Sequence, residues 1–497
     1  MSTCVCRRPV WLLALLALAF AGLGQEIQSV AALFNDSVAL YDAGDLDGAR
    51  RGFERILAVQ PRDAECQSWL GAIALQQDRP ADAVALLTDA VVQRPGDPRL
   101  LNNLALALLA TQQPVPAEEA LRKAVAIDPK YADGWFNLGL ALDQLERTAE
   151  AIGAYSRAVE LDREHVAAWT NLGHARRVAR QFQPAVVAYR RALELERTAP
   201  HAVNLALAIA DTGDLDAAIA TLVGAIGIDR NYAPAYFQRG LLTLQRGAAG
   251  DLELAVQSFH QAAFLQPDDF ASQYNLGLAA GQLGGQAMLD AAVEAYTAAL
   301  ALDPQHVDAL LNLGWTQYQL GEDELAAEAW ARALEIDPDS AAARLNLALV
   351  ATRAEDWPLA VERWQAVVAG EPENLSALAQ LGQAQYRAGD AEAAQATLTR
   401  ALAQGAREAT VHHTLGRLAV AREEYVPAIA SFRLAIEAEP KVAAYHLDLA
   451  LALEAAGRLA EARVAVAEAA RLAPNDAAIE TARQRLGAAA PAADEER

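Results

Sequence analysis

From residue 30 onward, apolar and polar positions alternate in a pattern that repeats itself, and the stretch Val307–Ser340 shows it most plainly. Leu310, Leu313 and Gly314 fall at i, i+3 and i+4, with Gln317 at i+7, and so define one stripe of a helix. Gly321 interrupts the stripe, and Ala326, Trp330 and Ala333 make a second one. Asp337-Pro338 ends it, because a residue that precedes proline is pushed out of the helical region. The pattern predicts two helices, A and B, joined by a tight turn.

The same unit recurs thirteen times, starting at Val30, Ala64, Pro98, Ala132, Val166, Ala199, Ala233, Phe270, Val307, Ala341, Leu375, Ala409 and Ala443. Most copies have 34 residues and the fifth has 33. The seventh and eighth have 37, with extra residues near Gly247–Gly250 and Gly284–Met288 that are expected to lengthen the turn between the helices. The eighth position is always small, as in Gly139, Gly173 and Gly314. The twentieth is always alanine, from Ala49 to Ala462. The twenty-fourth is apolar and usually large, from Phe53 through Tyr155, Trp330 and Trp364 to Val466. Small residues let two helix backbones approach, and the large one fills the space between successive pairs. Such an array grows by stacking and needs no single core.

The spacing of W/L-x-x-L-G, then A, F/Y/W, A and P at 34 residues resembles the tetratricopeptide repeat family over roughly residues 30–476. The resemblance implies an all-α solenoid: about thirteen antiparallel helix pairs stacked into a right-handed superhelix, with helix A of each pair lining a concave groove. Asp36 stands where eleven other copies have leucine, which suits a water-exposed end, whereas Arg239 in the seventh copy breaks the same rule without an evident reason. Residues 477–486 read as a capping helix, and residues 487–497 as a disordered tail.

Residues 1–24 read as an export signal: Arg7 and Arg8 precede the uncharged run Val10–Leu23, and Ala19-Phe20-Ala21 fits a cleavage site. An uncleaved anchor is the alternative reading, and the only membrane attachment expected. The chain is therefore expected in the periplasm or cell envelope. A formal charge of −23 disfavours nucleic acid and acidic membrane surfaces. Of three cysteines, only Cys66 lies in the repeats, so no disulfide is expected there.

Asparagine at the sixth position is the sharpest candidate for function. It occurs as Asn35, Asn103, Asn137, Asn171, Asn204, Asn275, Asn312 and Asn346, so eight of the twelve asparagines share one position; Gln238 and Gln380 extend the set. Asparagine is unfavourable inside helices, and an amide offers donors and an acceptor to the backbone of an extended peptide. The column resembles the asparagine ladder in the repeat domain of O-linked N-acetylglucosamine transferase; bonding between neighbouring helices is the other use open to it. Phe136, Phe237 and Tyr274 at the fifth position, Trp315 at the ninth and Tyr318 at the twelfth would add apolar and aromatic groove contacts.

Relatives that grip acidic chaperone tails carry basic residues at set groove positions. Here the fifth position never holds lysine, and Arg99 is the only basic residue at the second. His412, His413 and His446 form the one local histidine cluster, and no GxSxG, P-loop or HExxH motif occurs. The expectation is a non-enzymatic scaffold that holds an extended segment of a partner protein, with no cofactor, metal or small-molecule substrate. The alternatives are an adaptor in a polysaccharide- or pilus-export assembly, or a substrate-selecting accessory to a separate glycosyltransferase.

Overall fold

The computed structural model describes residues 29–487, so the expected export signal and nearly all of the expected tail lie outside the described residues. Among the described residues the chain is an all-α repeat solenoid with no strand. It divides into two compact units, Met1–Asp251 and Leu252–Arg497, and each is considered by itself. Helix A starts at Ala64, Pro98, Ala132, Val166, Ala199 and Ala233 in the first unit, and at Phe270, Val307, Ala341, Leu375, Ala409 and Ala443 in the second. Each of these is followed, after a short turn, by a helix B. A last helix, Ala477–Leu486, closes the second unit by burying Ile479, Ala482 and Leu486.

The packing rule is steric. All thirteen alanines at position 20 are completely buried. The residue at position 24 is also buried in every repeat, from Phe53 to Val466. In seven repeats it lies against a glycine at position 8: a Cβ on Gly139 would meet Tyr155 at 2.3 Å, and one on Gly277 would meet Tyr296 at 2.7 Å. Each large plug removed from water contributes about 1.5–3 kcal/mol, so the repeats are held by a row of equivalent contacts.

The loops follow rules of their own. Asp128, Asp162, Asp229, Asp303 and Asp337 each accept the backbone N–H two residues on through Oδ1, which fixes the chain reversal between repeats. The side chain at position 4 then reaches back to the carbonyl six residues earlier. Trp135 donates to Pro129 at 3.1 Å, Trp169 to Arg163 at 3.0 Å and Tyr236 to Arg230 at 3.2 Å. His446 uses the same geometry toward Pro440, Nε2 to O at 2.9 Å, which gives this member of the histidine cluster a structural partner.

Position 15 in the turn after helix A takes a positive φ throughout the array. Gly44, Gly213, Gly247, Gly284, Gly321, Gly389 and Gly457 supply it in seven repeats, and Asp78, Gln112, Glu146, Arg180, Glu355 and Glu423 in six. The 37-residue copies depart from the sequence expectation in one respect. Repeat seven has the longer turn, residues 247–250, between Ala233–Arg246 and Asp251–Leu265. In repeat eight the turn is only Gly284-Gly285, and helix B, Gln286–Leu302, is extended to 17 residues. Its added turn, Gln286-Ala287-Met288, contains good helix formers, so insertion there lengthened the helix.

Candidate functional site

With 100° between successive helical residues, positions 2, 5, 6, 9, 12 and 13 of helix A fall within one arc of about 120°. Positions 2, 9 and 13 are the most open, as Asp133, Trp315 and Arg387 show, while positions 5, 6 and 12 are half-buried along the flanks. The opposite arc carries the buried positions 3, 7, 8 and 10. Helix A thus presents one face outward in every repeat, and the candidate site residues lie on it.

The amide column divides into two sets. Asn103 donates to Ser68 Oγ at 3.2 Å, Asn137 to Asn102 Oδ1 at 2.7 Å, and Asn312 to the Tyr274 hydroxyl at 3.2 Å. Each bond joins position 6 of one repeat to position 5 of the repeat before it. Asn137 is the most buried member of the column, at 6% exposure. Asn171 reaches the Tyr155 hydroxyl, which itself donates to Asp143 Oδ2 at 2.6 Å. Burial first, and this bond second, push the Tyr155 pKa up. Asn275 turns back to the Ala271 carbonyl of its own helix at 2.8 Å.

The second set has no such partner. Among the described residues, Asn204, Gln238, Asn346 and Gln380 make no hydrogen bond through their amides, nor does the exposed Asn35 of the first repeat. For three of the four, the difference lies in the residue at position 5 of the preceding repeat. Val203, Leu311 and Leu345, which precede Gln238, Asn346 and Gln380, offer no acceptor. Thr170, which precedes Asn204, donates its hydroxyl to the Val166 carbonyl of its own helix at 3.0 Å. All four amides stay half-buried on the outward face.

The aromatic candidates also separate. Phe136 packs among its neighbours, 5.9 Å from the Tyr155 ring and 4.6 Å from His165. Tyr274 lies 5.6 Å from Phe270 and 5.2 Å from His306. Phe237 is half-buried beside Gln238 on helix A of repeat seven. Trp315, by contrast, is 44% exposed and stacks on Tyr318 with ring centroids 5.6 Å apart. Arg353 covers the Tyr318 ring at 3.4 Å and is held there by Asp323. Trp315 is the open aromatic side chain of the candidate set.

Sequence reasoning missed the slot in which positions 5 and 6 meet. In the last two repeats it holds His413 and Asp448, Nε2 to Oδ2 at 2.7 Å, in place of an amide pair. A polar residue at position 5 ahead of a polar residue at position 6 was the available signal. Among the described residues no group of three His, Cys, Asp or Glu could hold a metal, and no helix is long and apolar enough to cross a membrane. Cys66 is buried, which pushes its thiol up to about 12 and holds it protonated.

Family profiles agree with this architecture. Tetratricopeptide repeat profiles match residues 37–98, 283–341, 345–409 and 407–477, with further matches at 74–138 and 132–165. Among solved structures, the chain is similar to MamA at 27% identity, with 32% of this chain and 94% of that one covered and a TM-score of 0.30. It is similar to a chain of the APC/C hetero-tetramer Cut9–Hcn1 at 16% identity, covering 92% and 96%, with a TM-score of 0.38. The C-terminal part of a TPR repeat-containing protein from Cytophaga hutchinsonii is 17% identical, covering 50% and 99%, with a TM-score of 0.43. No curated relative matches the chain. The profiles, the thirteen helix pairs and their shared packing rule establish that the chain belongs to the tetratricopeptide repeat family, whose fold serves as a scaffold for protein–protein interaction.

Proposed function

We propose that this protein is a non-enzymatic scaffold that holds an extended segment of a partner protein along the outward face of its A helices. The observation that carries the reading is two pairs of amides, Asn204 and Gln238 in the first unit and Asn346 and Gln380 in the second, left without hydrogen-bond partners on the outward faces of their own helices. These amides are not among the buried polar atoms that lack a partner, so they remain accessible on that face to a ligand's backbone, and asparagine there lowers helix stability. An extended peptide satisfies both donors and acceptor through its own backbone, largely without regard to its side chains. Trp315 beside the column adds an aromatic surface of the kind enriched at protein interfaces.

The test compares two quadruple variants for capture of partners cross-linked from native extracts. One changes Asn204, Gln238, Asn346 and Gln380 to alanine; the other changes Asn103, Asn137, Asn171 and Asn312, whose amides are already engaged within the array. Loss of capture by the first at unchanged helicity is the expected result. Equal capture by the first variant and the unchanged protein rejects the reading. Export to the periplasm or cell envelope belongs to the same proposal and rests on residues 1–24. Recovery of the full, unprocessed chain from the cytoplasmic fraction alone refutes it.

A further inference from the structure

The protein is strongly acidic overall, yet its charge is unevenly placed. The A helices of repeats ten, eleven and twelve (Ala341–Arg353, Leu375–Arg387 and Ala409–Ala421) carry Arg344, Arg353, Arg387 and Arg417 and contain no carboxylate. The A helices on either side do contain carboxylates, namely Asp308 in repeat nine and Asp448 and Glu454 in repeat thirteen. Three of the four arginines stand on the outward face, Arg353 and Arg387 at position 13 and Arg417 at position 9.

The three differ in how far their charge is already matched. Arg353 is held by Asp323, which stands at position 17 of the preceding repeat. Position 17 of the next repeat is Trp357, so Arg387 lies over an indole ring at 5.6 Å, with no acidic partner among the described residues. Arg417 lies over the Tyr386 ring at 5.5 Å and is only 3.7 Å from Asp448, a carboxylate already bonded to His413. Ring faces orient a guanidinium without neutralising it. Around these two cations the same face presents Gln380, Gln383 and Tyr386.

We infer that the A-helix face of repeats ten to twelve selects acidic extended segments, with Arg387 as the principal carboxylate anchor and Arg417 as the second. This rests on the peptide-holding reading above and adds the chemistry of the partner. The net charge of −23 does not oppose it, because at physiological ionic strength charges more than about 8 Å away are largely screened. Each guanidinium can grip a carboxylate through two parallel N–H donors, while the free amides of Asn346 and Gln380 take the backbone. Specificity would then come from the two arginines and general affinity from the amides.

The test uses the full chain and fluorescein-labelled peptides of about twelve residues, in which Gly and Ala alternate with Glu, Gln or Lys. Anisotropy is read at low and at physiological salt for the unchanged protein, for R387Q/R417Q, and for R332Q/R363Q, which removes the same charge from B helices. The Glu peptide is expected to bind at least about tenfold more tightly than the Gln peptide, and R387Q/R417Q to abolish that preference while R332Q/R363Q keeps it. Equal binding of Glu and Gln peptides, or tighter binding of the Lys peptide, overturns the acidic selectivity and leaves the scaffold reading standing. Absence of binding by every peptide overturns the peptide-holding reading itself. Single-stranded DNA bound as tightly as the Glu peptide, and lost in R387Q/R417Q, would reassign the face to polyanions and overturn the peptide assignment.

Discussion

Repeats nine and ten are consecutive copies of one unit, and both place a tryptophan at position 24, yet the two indoles are held differently. In repeat nine Gly314 leaves helix A bare, and the Trp330 Nε1–H reaches the Leu311 carbonyl at 3.0 Å. In repeat ten Ala348 fills that space, and the Trp364 Nε1–H donates to Thr352 Oγ1 at 2.8 Å. Position 12 differs to match: Thr352 is the acceptor in repeat ten, whereas Tyr318 in repeat nine faces Trp315 and Arg353. Both tryptophans end fully buried. The two indoles thus reach different acceptors, the backbone of helix A where position 8 is Gly314 and position 12 where it is Ala348, although Tyr155 also reaches position 12, at Asp143, beside Gly139. The repeat is therefore conserved in shape while its internal bonds are exchanged.

The largest effect expected from breaking this comparison is that of G314A. Its Cβ would stand 2.5 Å from Trp330 Nε1 and 2.7 Å from Cε2, both in a rigid ring. Overpacking costs about 1–3 kcal/mol, and an indole N–H displaced from its carbonyl adds about 1–3 kcal/mol when buried and unpaired. A loss of about 2–6 kcal/mol in urea unfolding is expected, and a loss below about 1 kcal/mol would show that the plug can shift freely. The reciprocal test is T352V, which keeps the shape of the side chain and removes the acceptor of Trp364. Only the hydrogen-bond contribution is lost there, so about 1–3 kcal/mol is expected. An unchanged midpoint would mean that the indole finds another acceptor.

The turns of the same two repeats give the next smaller effect. Gly321 takes φ 83° in repeat nine, and Glu355 takes φ 54° at the equivalent place in repeat ten. A residue with a Cβ in the left-handed region costs about 1–2 kcal/mol, and glycine itself costs about 0.5–1 kcal/mol through the freedom it loses on folding. E355G is therefore expected to stabilise the chain by about 0.5–1 kcal/mol. A lower urea midpoint for E355G would show that the Glu355 side chain contributes more than its backbone conformation costs.

These contrasts mark what could be read along the chain. The alanine at position 20 and the plug at position 24 were legible because burial at a fixed distance admits few residue types, and thirteen copies repeat the constraint. Position 15 was not, because six of thirteen repeats accept the left-handed cost with Asp, Gln, Glu or Arg, so no residue type marks it. The donors at position 4 escaped notice for a similar reason: Trp135, Tyr236 and His446 share only a polar atom at the right reach. The asparagine column was visible as a column, but its division was not, since the fate of amides such as Asn137 and Asn346 depends on a residue about 35 places earlier. Asn137 has Asn102 before it and Asn346 has Leu311, and nothing adjacent to either asparagine distinguishes them.

That division yields the smallest expected effect on stability and the clearest separation from function. Asn312 bonds Tyr274, so N312L should cost about 0.5–1.5 kcal/mol, the usual worth of one hydrogen bond. Asn346 has no such bond, and leucine is the better helix former, so N346L should leave stability unchanged or raise it by about 0.5 kcal/mol. If the free amides serve a bound segment, the order reverses in a binding assay. N346L then weakens capture of a partner although the fold is no weaker, and N312L weakens the fold while its capture, measured where the variant is folded, changes less. Equal effects of the two substitutions on capture would mean that the face acts through its shape alone, because only a direct contact makes the amide that the fold does not need the one that the partner does.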